Sequence, residues 1–331
     1  MALHVAVVGA GSWGTTVASL SAANNPTTLW ARRAEVAEEI GARHTNETYL
    51  PGFTLPAELQ CTSSMEAAVG NADVLVMAVP SHGFRAALVE AAAHVRPWVP
   101  VVSLTKGLEQ GTRKRMTEVV NEVLPDHPAG ALTGPNLARE VMAGHPAGAV
   151  LAFADERIAV GLQPVFKARA FRVYTNLDIV GCEIGGVVKN VMAIAAGMVD
   201  GMGFGDNTKA TVMTRGLAEL SRLGAALGGD PMTFAGLAGM GDLVATCMSA
   251  QSRNHHVGVE LGKGRRLDEI VAEMNMVAEG VKSSSVVAEL ALQSGVEMPI
   301  AEQVRAVCHD GVTAAEGMAS LLQRRTGMEW E

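Results

Sequence analysis

The sequence predicts an α/β domain built on a doubly wound parallel sheet, followed by an all-helical domain. Three observations carry this. Short apolar runs alternate with helical spacing through the first 180 residues; a G-x-G-x-x-G turn joins the first apolar run to the first helical segment; and beyond residue 180 strand signals fade while helical periodicity persists. The domains are therefore drawn as 1–180 and 181–331.

The elements follow in order. Residues 5–8 read Val-Ala-Val-Val, a first strand, and 14–23 follow as a helix. Residues 28–30 form a second strand. Residues 74–79 are a near-continuous apolar run closed by Pro80, as expected of a strand buried on both faces. A helix over 84–95 ends before Pro97, and strands are expected at 99–104 and 147–153. In the second half, helical spacing covers 179–199, 209–227, 257–261, 267–274, 283–294, 300–308 and 314–323. The stretch 182–202 is apolar enough to suggest a membrane span. It carries Glu183, Lys189, Asn190 and Asp200, which would be expensive in lipid, so a buried helix is expected and no membrane span.

Composition narrows the function classes. Of 331 residues, 48% are hydrophobic and 18% charged, enough for two cores and against disorder as the main state. The net charge of −8 and an aromatic content of 4% argue against a nucleic-acid-coating surface or a base-stacking platform. Four widely spaced cysteines form no C-x-x-C pair, so no metal site and no dithiol centre is indicated, and a cytoplasmic location with reduced thiols is expected. The N-terminus lacks a basic segment and its apolar run is too short for a secretory signal.

The chemistry begins at Gly9-Ala10-Gly11-Ser12-Trp13-Gly14. Between a strand and a helix, this pattern is a Rossmann-type dinucleotide turn. Gly9 permits the tight turn, Gly11 lets the backbone approach a pyrophosphate, and Gly14 lets the helix pack against the sheet. At the end of the second strand, where an acid usually holds the ribose of NAD, stand Arg32 and Arg33. Two guanidiniums suit a 2′-phosphate, so NADPH/NADP is favoured, with NADH/NAD as the alternative. Lys106 follows a strand, at the sheet edge where ligands bind. Lys189 interrupts an apolar helix, where burial should lower its pKa towards a value useful for proton transfer. Replacing it with Ala should leave the fold nearly intact, since no buried charge would remain. Asp242 sits at a Gly-rich turn and reads either as a helix cap or as a site residue. His255 and His256 read as a solvated turn, Phe84 as a core ring or a nicotinamide neighbour, and the Met-rich stretch 232–248 as core.

Further motifs carry a resemblance. Ser103-Leu-Thr-Lys106-Gly107, Thr133-Gly134-Pro135-Asn136-Leu-Ala138-Arg-Glu140, Val188-Lys189-Asn190, the run from Asp200 to Lys209, Gly239-Met-Gly241-Asp242 and Ser252-Arg253-Asn254 occur in an order and spacing that resembles the bacterial NAD(P)-dependent glycerol-3-phosphate dehydrogenases. The resemblance implies reduction of dihydroxyacetone phosphate to sn-glycerol 3-phosphate for phospholipid biosynthesis, and it admits a homodimer. It implies that Lys189 is the proton donor in reduction and the acceptor in oxidation. It assigns Lys106, Gly134, Asn136, Lys189, Asn190, Asp242, Ser252, Arg253 and Asn254 to the substrate, with Asp242 also placed to steady the lysine's charge and Arg253-Asn254 as the phosphate hook. It assigns Ser12, Trp13, Arg32, Arg33, Tyr49, Lys106, Ala138, Arg253, Val277 and Glu279, with the three glycines, to the cofactor. Asn136 stands where many members have Ser. Two rivals remain: a dehydrogenase of the same architecture acting on a 3-hydroxy acid, and a non-catalytic nicotinamide sensor, which would have no need of Lys189.

Overall fold

The computed structural model describes residues 2–168, 170–274 and 278–325. The chain divides into two compact units, Met1–Ile179 and Val180–Glu331.

The first unit holds strands β1 (Val5–Val8), β2 (Thr27–Trp30), β3 (Gln60–Thr62), β4 (Val74–Met77), β5 (Val101–Ser103), β6 (Ala129–Thr133), β7 (Ala147–Phe153) and β8 (Phe171–Asn176). Its helices are α1 (Ser12–Ala22), α2 (Ala34–Arg43), α3 (Met65–Val69), α4 (Ser81–Ala92), α5 (Met116–Val123), α6 (Ala138–Met142) and α7 (Glu156–Phe166). The strands form one sheet in the order β3-β2-β1-β4-β5-β6-β7-β8. Strand order reverses between β1 and β4, the switch point of a doubly wound sheet. Side chains alternate between its faces. Val5, Val7, Val74 and Val76 enter one core, while Ala6, Val8, Leu75 and Met77 enter the other. Burial on both faces explains why β1 and β4 read as unbroken apolar runs.

The sheet departs from the parallel expectation at β7, which pairs antiparallel with β6 while β8 runs parallel to β7. A parallel neighbour needs a long crossover. The β6–β7 connection contains only the five-residue α6, so the chain turns back beside β6. Three strands lack an apolar signature. β3 reads Gln-Cys-Thr. β8 is an edge strand that alternates buried and exposed residues at its start. β6 reads Ala-Gly-Ala-Leu-Thr because a Cβ on Gly130 would collide with the Phe153 ring.

The second unit contains α8 (Ile179–Gly201), α9 (Asp206–Ala226), α10 (Pro231–Ala235), a π-helical turn (Leu237–Gly241), α11 (Asp242–Met248), α12 (Arg253–Gly262), α13 (Leu267–Glu273), α14 (Glu279–Gln293), α15 (Pro299–His309) and α16 (Ala314–Leu322). Among its described residues there is no strand. α8 is the one helix among the described residues long and apolar enough to cross a membrane, yet every residue from Gly181 to Val199 is buried in the protein. It packs backbone to backbone on α12: a Cβ on Gly197 would strike His255 O, and one on Gly258 would strike Ile194 O. The Met-rich stretch is not core. Met232, Met240 and Met248 are exposed at 74%, 44% and 65%. The short helices turn Phe234, Ala238, Leu243 and Cys247 inward instead, which leaves the methionines on the outer side.

Candidate active site

β1, β2, β5 and β6 run parallel, so their carboxyl ends share one edge of the sheet. The Gly9–Gly14 turn, Arg32 and Arg33, Lys106, and the loop from Gly134 to Asn136 all issue from that edge. Gly9 has φ +118°, and a Cβ there would lie 2.7 Å from Ala78 O. A Cβ on Gly14 would strike Gly9 O, which is why this helix packs so close only with Gly. Gly11 differs from both, with nothing within 4 Å of its Cβ position. No side chain caps α1. An open backbone approach beside an uncapped helix N-terminus fits a pyrophosphate.

The remaining residues of this unit surround that turn or line the loops beside it. The Arg33 guanidinium lies 5.4 Å from the Tyr49 ring centre, and its Nη2 donates to the Tyr49 hydroxyl at 3.3 Å. Arg32 is exposed. Ser12 Oγ donates to Tyr49 O. Lys106 Nζ donates to Gly134 O at 2.8 Å, which ties the loops after β5 and β6. Ala138 opens α6. The Trp13 indole N–H and both amide atoms of Asn136 are buried with no protein partner among the described residues. Such orphans are costly unless a ligand satisfies them. The observed geometry therefore fits a dinucleotide with polar groups beside it. Phe84, in the first turn of α4, is fully buried in a core cluster with Val8, Met77 and Leu88.

In the helical unit, Lys189 does not snorkel. Its Nζ sits 3.0 Å from Asp242 Oδ1 and donates to Thr246 Oγ1 at 2.8 Å; the Lys and Asp side chains are 7% and 2% exposed. Thr246 in turn donates to Asp242 Oδ1 at 3.1 Å. Asp242 and Thr246 lie one turn apart on α11, so they present to one side. Asp242 is not the N-cap of α11, a position Gly241 holds; it follows the π-helical turn as its last, capping residue. Burial favours the neutral amine and the carboxylate favours the ammonium, so the two effects oppose each other. The expectation that Lys189→Ala leaves no buried charge is overturned, because Asp242 would remain. Thr246 escapes sequence reasoning; the only local signal is its i+4 spacing from Asp242.

Asn190 follows Lys189 on α8 and accepts from Asn254 Nδ2 at 2.9 Å, while Asn254 Oδ1 accepts from Gly280 N at 2.9 Å. Three helices, α8, α12 and α14, meet through these two amides. Ser252 caps α12, accepting from His255 N at 3.2 Å. Arg253 opens α12 and keeps solvent access. Protein crowding pushes its guanidinium below the usual arginine range, and Glu279, at the start of α14, works against that shift.

The two histidines are not a solvated turn. Both lie on α12; His256 is exposed, but His255 is buried with Nε2 2.8 Å from Asp200 Oδ2. Asp200 also holds Lys209 Nζ at 2.7 Å. Burial works to raise the Asp200 carboxyl, yet its bonds to Lys209 and His255 outweigh it and hold the group below the usual carboxylate range. Val277 lies outside the described residues. Among the described residues no group of His, Cys, Asp and Glu is arranged to hold a metal.

The chain matches both halves of one protein family along most of its length. Residues 4–159 match the NAD-dependent glycerol-3-phosphate dehydrogenase N-terminus, and residues 178–319 match its C-terminus. It is 60% identical to a glycerol-3-phosphate dehydrogenase [NAD(P)+] 2 of Sphingopyxis alaskensis, covering 99% of each chain. It is 53% identical to a glycerol-3-phosphate dehydrogenase [NAD(P)+] of Mycobacterium avium, covering 98% of this chain and 96% of that one. A crystal structure of glycerol-3-phosphate dehydrogenase from Coxiella burnetii superposes with a TM-score of 0.93 at 34% identity, covering 98% of this chain and 99% of the other. With both halves matched in order and identity this high over nearly full length, the chain belongs to the NAD-dependent glycerol-3-phosphate dehydrogenase family.

Proposed function

We propose that this protein reduces dihydroxyacetone phosphate to sn-glycerol 3-phosphate, preferring NADPH and accepting NADH. The observation that carries the chemistry is the buried Lys189–Asp242 pair with Thr246 between them. A bound reduced nicotinamide supplies the hydride to the ketone carbon. Lys189 delivers a proton from Nζ to the ketone oxygen as it becomes a hydroxyl, and takes it back in the reverse direction. Asp242 holds the ammonium charge in a buried setting, and Thr246 aims Nζ. Arg253 supplies a planar fork for the substrate phosphate at the start of α12, flanked by Ser252 and Asn254. Lys106, Gly134, Asn136 and Asn190 complete the substrate groups. Arg32 and Arg33 meet the 2′-phosphate, while Gly9–Gly14, Tyr49, Ala138 and Glu279 serve the rest of the cofactor.

This reading extends to a cytoplasmic enzyme whose product is the backbone of phospholipids, and to a homodimer as its assembly. The rival sensor reading needs no proton donor, and the buried lysine is what favours an enzyme. Purified protein mixed with dihydroxyacetone phosphate and either nicotinamide should consume the reduced cofactor, read by its near-ultraviolet absorbance. Consumption should be faster with NADPH and should be nearly absent with unphosphorylated dihydroxyacetone. Tight NADPH binding without turnover would leave a sensor.

A further inference from the structure

Asn46 lies in the polar segment that follows α2, three residues before Tyr49, and is fully buried at 0% exposure. A buried amide is costly unless its hydrogen bonds are made. Here they are made to the cofactor turn. Asn46 Nδ2 donates to Ala10 O at 3.0 Å and to Thr15 Oγ1 at 2.9 Å, while Oδ1 accepts from Tyr49 N at 3.3 Å. The orientation is forced, because the Ala10 carbonyl only accepts and the Tyr49 N–H only donates. Ala10 lies inside the Gly9–Gly14 turn and Thr15 in the first turn of α1. Tyr49 is gripped from its other side as well, since its carbonyl accepts from Ser12 Oγ. Its ring and hydroxyl in turn hold the Arg33 guanidinium. The segment is anchored at its base by Glu39 of α2, whose Oε1 accepts from Thr45 Oγ1 at 3.0 Å and from Glu47 N at 2.8 Å.

We infer that Asn46 is a positioning residue for cofactor recognition: it ties Tyr49, and through Tyr49 the Arg33 guanidinium, to the glycine turn. The inference rests on the reading in which Arg33 meets the 2′-phosphate. The side chain is fully buried, and all its contacts are with the protein's own loop and turn. It sets the spacing between the pyrophosphate turn and the arginine wall. Losing it should therefore penalise NADPH, which uses both, more than NADH, which uses only the turn.

The test is a set of Kd measurements for NADPH and NADH by protein-fluorescence titration on the wild type, Asn46→Ala, Arg33→Ala and the double variant. A merely structural role would weaken both cofactors alike. We expect Asn46→Ala to weaken NADPH by about tenfold and NADH by about threefold or less, the size of losing roughly one charge-assisted contact. Since Asn46 acts through Arg33, the double variant should have the same NADPH-to-NADH ratio as Arg33→Ala alone. Thr15→Ser, which keeps the hydroxyl acceptor, should retain the wild-type ratio. Equal losses for both cofactors, or ratios that multiply in the double variant, overturn the inference. If Arg33→Ala shifts the ratio and Asn46→Ala does not, the positioning role alone falls. If Arg33→Ala leaves the ratio unchanged, the 2′-phosphate reading falls and the route through Arg33 falls with it. Should Asn46→Ala fail to fold, Asn46→Ser carries the same test, because it stays neutral and is too short to bridge Ala10 O and Tyr49 N.

Discussion

The two units hold their candidate site residues in different ways. In the sheet unit, the glycine turn and the strand-end loops are set by backbone, and side chains such as Asn46 and Tyr49 only add ties between them. Parallel strands end at one edge, and three glycines shape the first turn, one of them leaving open space. In the helical unit, positions are set by side chains that reach between helices. Lys189 meets Asp242 and Thr246 across more than fifty residues of chain, and Asn190 meets Asn254 across 64. A backbone-built site tolerates side-chain change where nothing is packed. A side-chain-built site loses its geometry whenever one partner is removed.

The largest expected effect comes from breaking the side-chain site at its centre. Lys189→Met should lower turnover by at least about 10²–10⁴-fold, the range for loss of a general acid or base. It should also destabilise the fold, since Asp242 would be left as a buried charge without its cation, a change that costs about 3–5 kcal/mol when one partner of a buried pair is removed. Adding Asp242→Asn should recover much of the melting temperature and none of the turnover. A single Lys189→Met protein with wild-type turnover would end the catalytic assignment and turn attention to Lys106.

Arg253→Ala probes a group that keeps solvent access. The KM for dihydroxyacetone phosphate should rise about tenfold to a hundredfold, with kcat falling as well, because the phosphate anchors the reacting carbon. Unphosphorylated dihydroxyacetone should be indifferent to the change. Equal damage to both ketones would assign Arg253 a structural or cofactor role.

Glycine substitutions sharpen the contrast directly. Gly258→Ala puts a methyl against Ile194 O at the α8–α12 contact and should cost about 1–3 kcal/mol, seen as a lower melting temperature. Gly11→Ala meets nothing within 4 Å and should leave melting nearly unchanged while weakening NADPH binding. If Gly11→Ala binds NADPH normally, the open space at that turn is not where the pyrophosphate approaches.

The smallest effect concerns pH. Glu219 on α9 is 1% exposed and accepts from Ile300 N at 2.7 Å and Ala301 N at 3.2 Å, at the start of α15. Burial pushes its carboxyl up from 4.5 to about 7, outweighing those two bonds and Arg222, while Glu302 adds to the rise. A raised folded-state pKa gives stability that is present below the unfolded value and is lost as pH climbs through the folded one. Stability from this group should therefore fall between about pH 4.5 and 7. Glu219→Gln should flatten that part of the melting-temperature profile; an unchanged profile would show that Glu219 does not titrate there.

Much of the sheet unit was readable from sequence because its signals are local. Four apolar residues, a glycine turn and a helix lie within one short stretch, and β1, α1 and Gly9–Gly14 fall where that pattern puts them. The strands it could not reveal, β3, β6 and β8, are short, small-residue or half-exposed, so their apolar pattern is weak. The antiparallel turn at β7 is likewise invisible, because strand direction depends on the space its connection can span.

In the helical unit, the sequence by itself marked Lys189 as a charge inside an apolar helix, and the family resemblance supplied a role for it. The resemblance also set Asp242 to steady that charge; only the tertiary structure added Thr246 and buried the three groups together. Thr246 and Asp242 become partners through the approach of α11 to α8, and His255 becomes a buried partner of Asp200 although its sequence suggests a wet turn. Asn46 belongs with them: a polar residue in a polar segment, whose burial follows from the packing of its loop against the glycine turn. The physical reason is common to all of them. Helical and strand periods are written along the chain, whereas a buried hydrogen bond between distant residues exists only once two surfaces have excluded water from between them.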